Sequence, residues 1–164
     1  PLYSSAASDV YKRQVSNVSP LGFILGDEGS GAVLGKLLVG DILKNQMPPE
    51  LKEKFLTQFN LTPADIIDRV YRKPFPNRFL ASLSPFLAQN LDEPCIRTLV
   101  SDSFKAFLKR NVMQYENYRE SKVHFIGSVA FYYKTILAEA ASEMGIRLGT
   151  VIKSPMEGLI EYHK

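Results

Sequence analysis

The segment from Lys122 to Ile152 constrains the fold of this chain more than any other. "KVHFIGS", Lys122 to Ser128, is a short β-branched and aromatic run, the composition of a buried strand, and it ends in Gly127-Ser128. A helical pattern follows at once. Val129, Tyr133, Ile136, Leu137, Ala140 and Met144 share one side of it, and Gly145 is its C-cap. "IRLGTVI", Ile146 to Ile152, is then a second strand. Strand, helix and strand at this spacing make a crossover unit, which implies a parallel or mixed sheet.

The rest of the chain predicts helices. Gly29 to Asn45 is one, with Leu34, Leu38 and Ile42 as its apolar stripe and Leu37 and Val33 beside it. Gly35 and Gly40 lie inside it, and each costs about 1 kcal/mol relative to alanine. Such glycines point to a neighbour packed very close. Pro48-Pro49 starts a second helix, through Phe59. In "TPAD", Thr62 is an N-cap, Pro63 the first helical residue and Asp65 a carboxylate near the amide dipole, so a third helix runs to about Tyr71. Pro74 and Pro76 break the chain. Asn77 caps a helix toward Gln89 that is kinked near Pro85. Asp92-Glu93-Pro94 opens a long amphipathic helix. Its stripe is Ile96, Leu99, Val100, Phe104, Phe107 and Leu108, and Lys109-Arg110 suit its negative C-terminal end. The expected class is therefore α/β: a small mixed sheet with flanking helices.

Composition excludes several functions. The 164 residues suffice for one domain with a core, and 45% hydrophobic against 23% charged is globular rather than disordered. A net charge of +3 makes no case for a nucleic-acid or membrane surface. No apolar run is long enough to span a bilayer. Cys95 is the single cysteine, which leaves no disulfide framework and points to a reducing, cytoplasmic setting. His124 and His163 are far apart with no third ligand at a recognisable spacing, so no metal site is expected.

"GFILGDEGSG", Gly22 to Gly31, is glycine-rich yet carries adjacent carboxylates, Asp27 and Glu28. It is not the phosphate loop of nucleoside triphosphatases, which needs a lysine and a serine or threonine after its second glycine. Lys36 comes too late. A carboxylate accepts hydrogen bonds well from sugar hydroxyls, and flanking glycines let a ring approach. The simpler reading is that Asp27 and Glu28 cap the following helix. From pattern alone, capping is the stronger of the two.

"PLGFILGDEGSGAVLGKLL" resembles the signature of the N-acetylglucosamine kinases and the related BadF/BadG-type ATPases, within the actin-like (ribonuclease H-like) sugar-kinase superfamily. The resemblance covers residues 15–164 and implies the helix-rich C-terminal lobe of such a kinase, with the N-terminal lobe missing. It implies that Asp27 binds the sugar and that Gly22 lines the same pocket. "FIGSVA", Phe125 to Ala130, looks like the adenosine motif, which implies Gly127 and Ser128 at the nucleotide. "FLASLSPFLA" resembles the helix whose first alanine lies near the adenine, here Ala81. "KSPMEGLIEYHK" resembles the natural C-terminal tail of bacterial members. The family often has a tryptophan or second glycine where Leu21 stands.

The implied substrates are an amino sugar and ATP with Mg²⁺, with a homodimer compatible. The catalytic aspartate and the first phosphate loop belong to the N-terminal lobe, so no residue here is catalytic and the chain is expected to be silent alone. "PLYSSAASDVYKRQ", Pro1 to Gln14, lacks an initiator methionine and the apolar centre of a signal peptide. It resembles a translated adapter or cloning junction, so it is expected to be a non-native scar or a disordered tail, with the protein continuing upstream. Besides a kinase for a different sugar, such as glucosamine or glucose, two other readings compete. One is a BadF/BadG-type ATPase that activates a dehydratase or reductase, which the lone cysteine disfavours because those enzymes carry cysteines for an iron–sulfur cluster. The other is a non-enzymatic helical binding module.

Overall fold

A computed structural model describes residues 17–156. The expectations for residues 1–14 and for the tail beyond residue 156 lie outside them. Nine α-helices, one short 3-10 turn and two strands follow one another in the described residues. They are α1 (Gly22–Leu25), α2 (Gly31–Leu43), α3 (Pro49–Phe59), α4 (Pro63–Tyr71), α5 (Pro76–Leu83), α6 (Pro85–Gln89), α7 (Pro94–Arg110), β1 (Lys122–Ile126), α8 (Ser128–Tyr132), α9 (Lys134–Glu143) and β2 (Arg147–Ile152). The fold is helix-rich α/β with a small parallel sheet.

Local chemistry sets the helix starts. Thr62 and Asp65 form a full capping box: the Thr62 hydroxyl accepts from the Asp65 amide and the Asp65 carboxylate accepts from the Thr62 amide. These bonds from Thr62 hold the Asp65 carboxyl below the usual carboxylate range. Five helices, α3 to α7, carry proline in their first turn, where no amide partner is lost. The predicted Asn77–Gln89 helix begins at Pro76, with Phe75 in the left-handed region as its N-cap, and breaks between Leu83 and Pro85.

The core runs between α2, α5, α7 and α9. Leu34, Leu38 and Ile42 of α2 and Ile96, Val100 and Leu108 of α7 are fully buried. Phe55 of α3 meets Phe86 of α6 edge-on, with ring centroids 5.2 Å apart. Gly35 explains the closeness of α2 to α5: a β-carbon there would overlap the Leu80 carbonyl. Gly40 has nothing near it, so the expectation of a close neighbour holds at one glycine and not at the other. Exposed ion pairs, Arg97–Glu139 and Lys105–Glu143, both 2.6 Å, join α7 to α9.

The crossover unit forms as a pair of parallel strands, with Lys122 opposite Arg147 and Ile126 opposite Ile152. The sheet is parallel, within the parallel or mixed arrangement that the crossover implies, and two other expectations need correction. β1 is not a buried strand. It alternates between exposed and half-buried residues, since helices cover one face only. The single helix expected after Ser128 is two, α8 and α9, separated at Tyr133. Tyr133 is buried and donates from its hydroxyl to the Ser84 carbonyl at 3.1 Å.

His124 also finds its place. Its Nδ1 accepts from the Thr150 amide at 3.0 Å where the strand register slips between Val123 and Phe125. Gly149 leaves room for the ring, since a β-carbon there would stand 2.8 Å from it. Among the described residues no helix is long and apolar enough to cross a membrane.

Candidate functional site

The glycine-rich loop turns twice before α2. Asp27 itself is in the left-handed region, φ 56°, and Gly29 follows at φ 75°. Gly29 lies against the Phe104 ring, where a β-carbon would make ordinary contact at 3.4 Å, so its need is conformational. Its amide donates to the Ser103 hydroxyl at 3.1 Å, which gives this buried serine a partner. Aspartate tolerates the left-handed region better than most residues, but such a conformation persists only where the surroundings hold it.

The two carboxylates have different fates. Glu28 pairs with Arg110 at 2.6 Å, and the Asn111 amide reaches its other oxygen at 3.5 Å. The Asp27 carboxylate has no hydrogen bond or ion pair among the described residues. Neither caps the helix. Ser30 is the N-cap of α2, and its hydroxyl accepts from the Val33 amide at 3.2 Å. The capping reading, the stronger one from pattern alone, is thereby corrected. Serine occupies the position from which a short hydroxyl reaches the third amide of the helix.

Asp27, Glu28, Gly29, Ser30 and Gly31 line one wall of a cleft of about 420 Å³. The opposite wall is the end of β1 and the start of α8: Ile126, Gly127, Ser128, Val129 and Ala130. Phe104, Phe107 and Phe125 form an apolar floor, with Phe107 and Phe125 rings 5.9 Å apart. Gly127 stands at the strand-to-helix turn with φ 145°, a conformation that side chains rarely adopt, and nothing lies within 4 Å of where its β-carbon would be. The turn therefore presents open backbone to the cleft. An apolar floor beneath a few converging polar groups is the ordinary make-up of a small-molecule site.

Asp27, Gly127 and Ser128 thus come together from distant parts of the chain. Gly22 and Ala81 do not join them in lining this cleft. Gly22 is the exposed first residue of α1. Ala81 packs one layer behind, against Gly31, whose β-carbon would lie 3.6 Å from that of Ala81. α5, which carries Ala81, lies against α2 through Gly31 and Gly35, which puts it behind the loop. Phe107 is the residue that the sequence assigns elsewhere, to the core stripe of α7. It is half-buried and faces the cleft, and no signal in the helical pattern separates it from its neighbours. Among the described residues no group of three or more His, Cys, Asp or Glu side chains is placed to hold a metal ion.

No family model matches this chain, and no curated protein matches it. Among solved structures, the crystal structure of the "Putative N-acetylglucosamine Kinase" from Porphyromonas gingivalis is similar, with a TM-score of 0.88 and 59% sequence identity. The similarity covers 90% of this chain and 52% of the other, so this chain spans about half the length of that protein.

Proposed function

We propose that residues 15–164 are the C-terminal lobe of an ATP-dependent amino-sugar kinase of the actin-like superfamily, whose substrate is N-acetylglucosamine. The observation that carries this reading is one cleft with the Asp27 carboxylate, unpaired among the described residues, on one wall and the open Gly127-Ser128 turn on the other. Similarity at 59% identity to half of a protein named as such a kinase supports it. Asp27 would accept hydrogen bonds from sugar hydroxyls, which a carboxylate does strongly. Gly127 and Ser128 would offer backbone and hydroxyl groups to the nucleotide. Gly22 and Ala81, outside the lining, would act only in the assembled protein.

Phosphoryl transfer between two substrates relies on positioning and on stabilising charge. The cleft supplies positioning, and Asp27 is its one carboxylate without a partner among the described residues. Among the described residues no cluster of acidic side chains is placed to hold Mg²⁺. The base and the first phosphate loop would come from the missing lobe, and this chain alone would be inactive. Leu21, Ile24, Leu25, Ile126, Phe131 and Tyr132 are exposed, which suits a surface covered by the remainder of a larger protein. The same exposure would suit a helical binding module. The single cysteine speaks against an activator of the BadF/BadG type.

The test is a coupled assay of the full-length protein with Mg²⁺-ATP and N-acetylglucosamine, glucosamine or glucose. ATP-dependent phosphorylation of N-acetylglucosamine is expected. Turnover of none of these sugars, with no calorimetric sugar binding, would leave the binding-module reading.

A further inference from the structure

Seven positions along α7 separate Ser103 from Arg110, which is two helical turns, so Ser103, Phe107 and Arg110 share a face. That face grips the glycine-rich loop twice. Ser103 accepts the Gly29 amide at one point. Arg110, with Asn111 beside it, holds the Glu28 carboxylate at the other. Glu28 is shielded, its side chain only 13% exposed, whereas Arg110 reaches in from solvent at 57%. An ion pair with one shielded partner resists water and salt better than one lying wholly in solvent.

We propose that Arg110 is a positioning residue for sugar binding. Through Glu28 it holds the peptide that carries Asp27 in its left-handed turn, so that the Asp27 carboxylate faces the cleft. Two features of the geometry matter. The Asp27 peptide is tied to the Pro20 carbonyl through its amide and to the Ser30 amide through its carbonyl, and Glu28 adds a side-chain tie from the loop to α7. Arg110 also neutralises Glu28, which leaves Asp27 as the one uncompensated carboxylate among the described residues of the cleft. The function of the adjacent acids is thereby divided: Glu28 holds the loop and Asp27 meets the ligand.

This inference rests on the reading of Asp27 as the sugar-binding group, and its test separates the two. In the full-length protein, Arg110→Met is expected to raise the KM for N-acetylglucosamine about fivefold, the scale of one part-exposed ion pair. The KM for ATP and kcat should stay within about twofold, because only one substrate's positioning is lost. Arg110→Lys should restore most of the loss. Glu28→Gln should behave like Arg110→Met, and the double variant should be no worse than either, since both act through one contact. Unchanged sugar KM, or sugar and ATP constants rising together, would overturn the proposal.

Amide hydrogen exchange over residues 27–31 gives a second readout that needs no turnover. Faster exchange there in Arg110→Met, with the rest of α7 unchanged, is expected. If the wild-type protein phosphorylates no amino sugar, the kinase reading falls and the exchange result alone decides: equal protection in both proteins means that Arg110 does not hold the loop.

Discussion

Gly35 of α2 lies directly against the Leu80 carbonyl of α5, so close that a β-carbon at residue 35 would overlap the backbone oxygen. Backbone cannot rotate aside as a flexible side chain can. Gly35→Ala must therefore push the two helices apart, at about 3 kcal/mol by the usual cost of overpacking. Gly40, in the same helix, has open space around it. Gly40→Ala should stabilise by about 0.5–1 kcal/mol through helix propensity. Urea denaturation of both variants checks the pair. Equal effects would mean that α2 and α5 are not in this contact.

Asp27 and Ser30 should separate cleanly. Ser30→Ala removes the N-cap bond to Val33 and should cost about 1 kcal/mol of stability. Asp27→Gly removes no such bond and relieves a left-handed aspartate, so the melting temperature should hold or rise. Sugar binding should nevertheless weaken about ten- to a hundredfold in Asp27→Gly, since a hydrogen bond to a charged group contributes roughly 1.5–3 kcal/mol. Calorimetry on the full-length protein checks this. Intact sugar affinity with lowered stability would return Asp27 to a structural role.

Gly127→Ala tests the strand-to-helix turn. Space is available for the methyl group, but the φ of 145° is not favourable for alanine. The turn should shift to relieve roughly 1–3 kcal/mol of backbone strain. The expected outcome in the full-length protein is a raised KM for ATP with the sugar constant little changed. A change in the sugar constant alone would move the nucleotide away from this turn.

Tyr133 should give the fold a limit at alkaline pH. Burial pushes its hydroxyl up to about 12 from an ordinary value near 10. The raised folded value favours the neutral form, so the contribution is complete below pH 10. It is lost as the pH rises from 10 towards 12, because the unfolded chain then releases its proton first. The loss should be at most about 2.7 kcal/mol, at about 1.36 kcal/mol for each of the two pH units. Tyr133→Phe should be less stable at neutral pH, having lost the bond to the Ser84 carbonyl, and its stability should fall less between pH 10 and 12. Chemical denaturation at several pH values measures this.

Element type was legible wherever one residue decides it locally. Proline at a first helical turn, Thr62 with Asp65, and the Gly127-Ser128 break act on the backbone within a few residues, and each formed as expected. The parallel crossover was legible because the 20 residues between β1 and β2 carry a helical pattern, the length and kind of connection that parallel strands need. The tertiary structure decided the rest. Whether a carboxylate caps or waits depends on what stands opposite, and Arg110, which takes Glu28, comes from the far end of another helix. Whether Phe107 joins the core or floors a cleft depends on the loop above it, since the helical period gives it the same face as Phe104. Gly35 and Gly40 are the same residue in the same helix, and only the approach of Leu80 distinguishes them. Sequence determines local backbone preference, while close approach between distant segments arises only when the whole core packs.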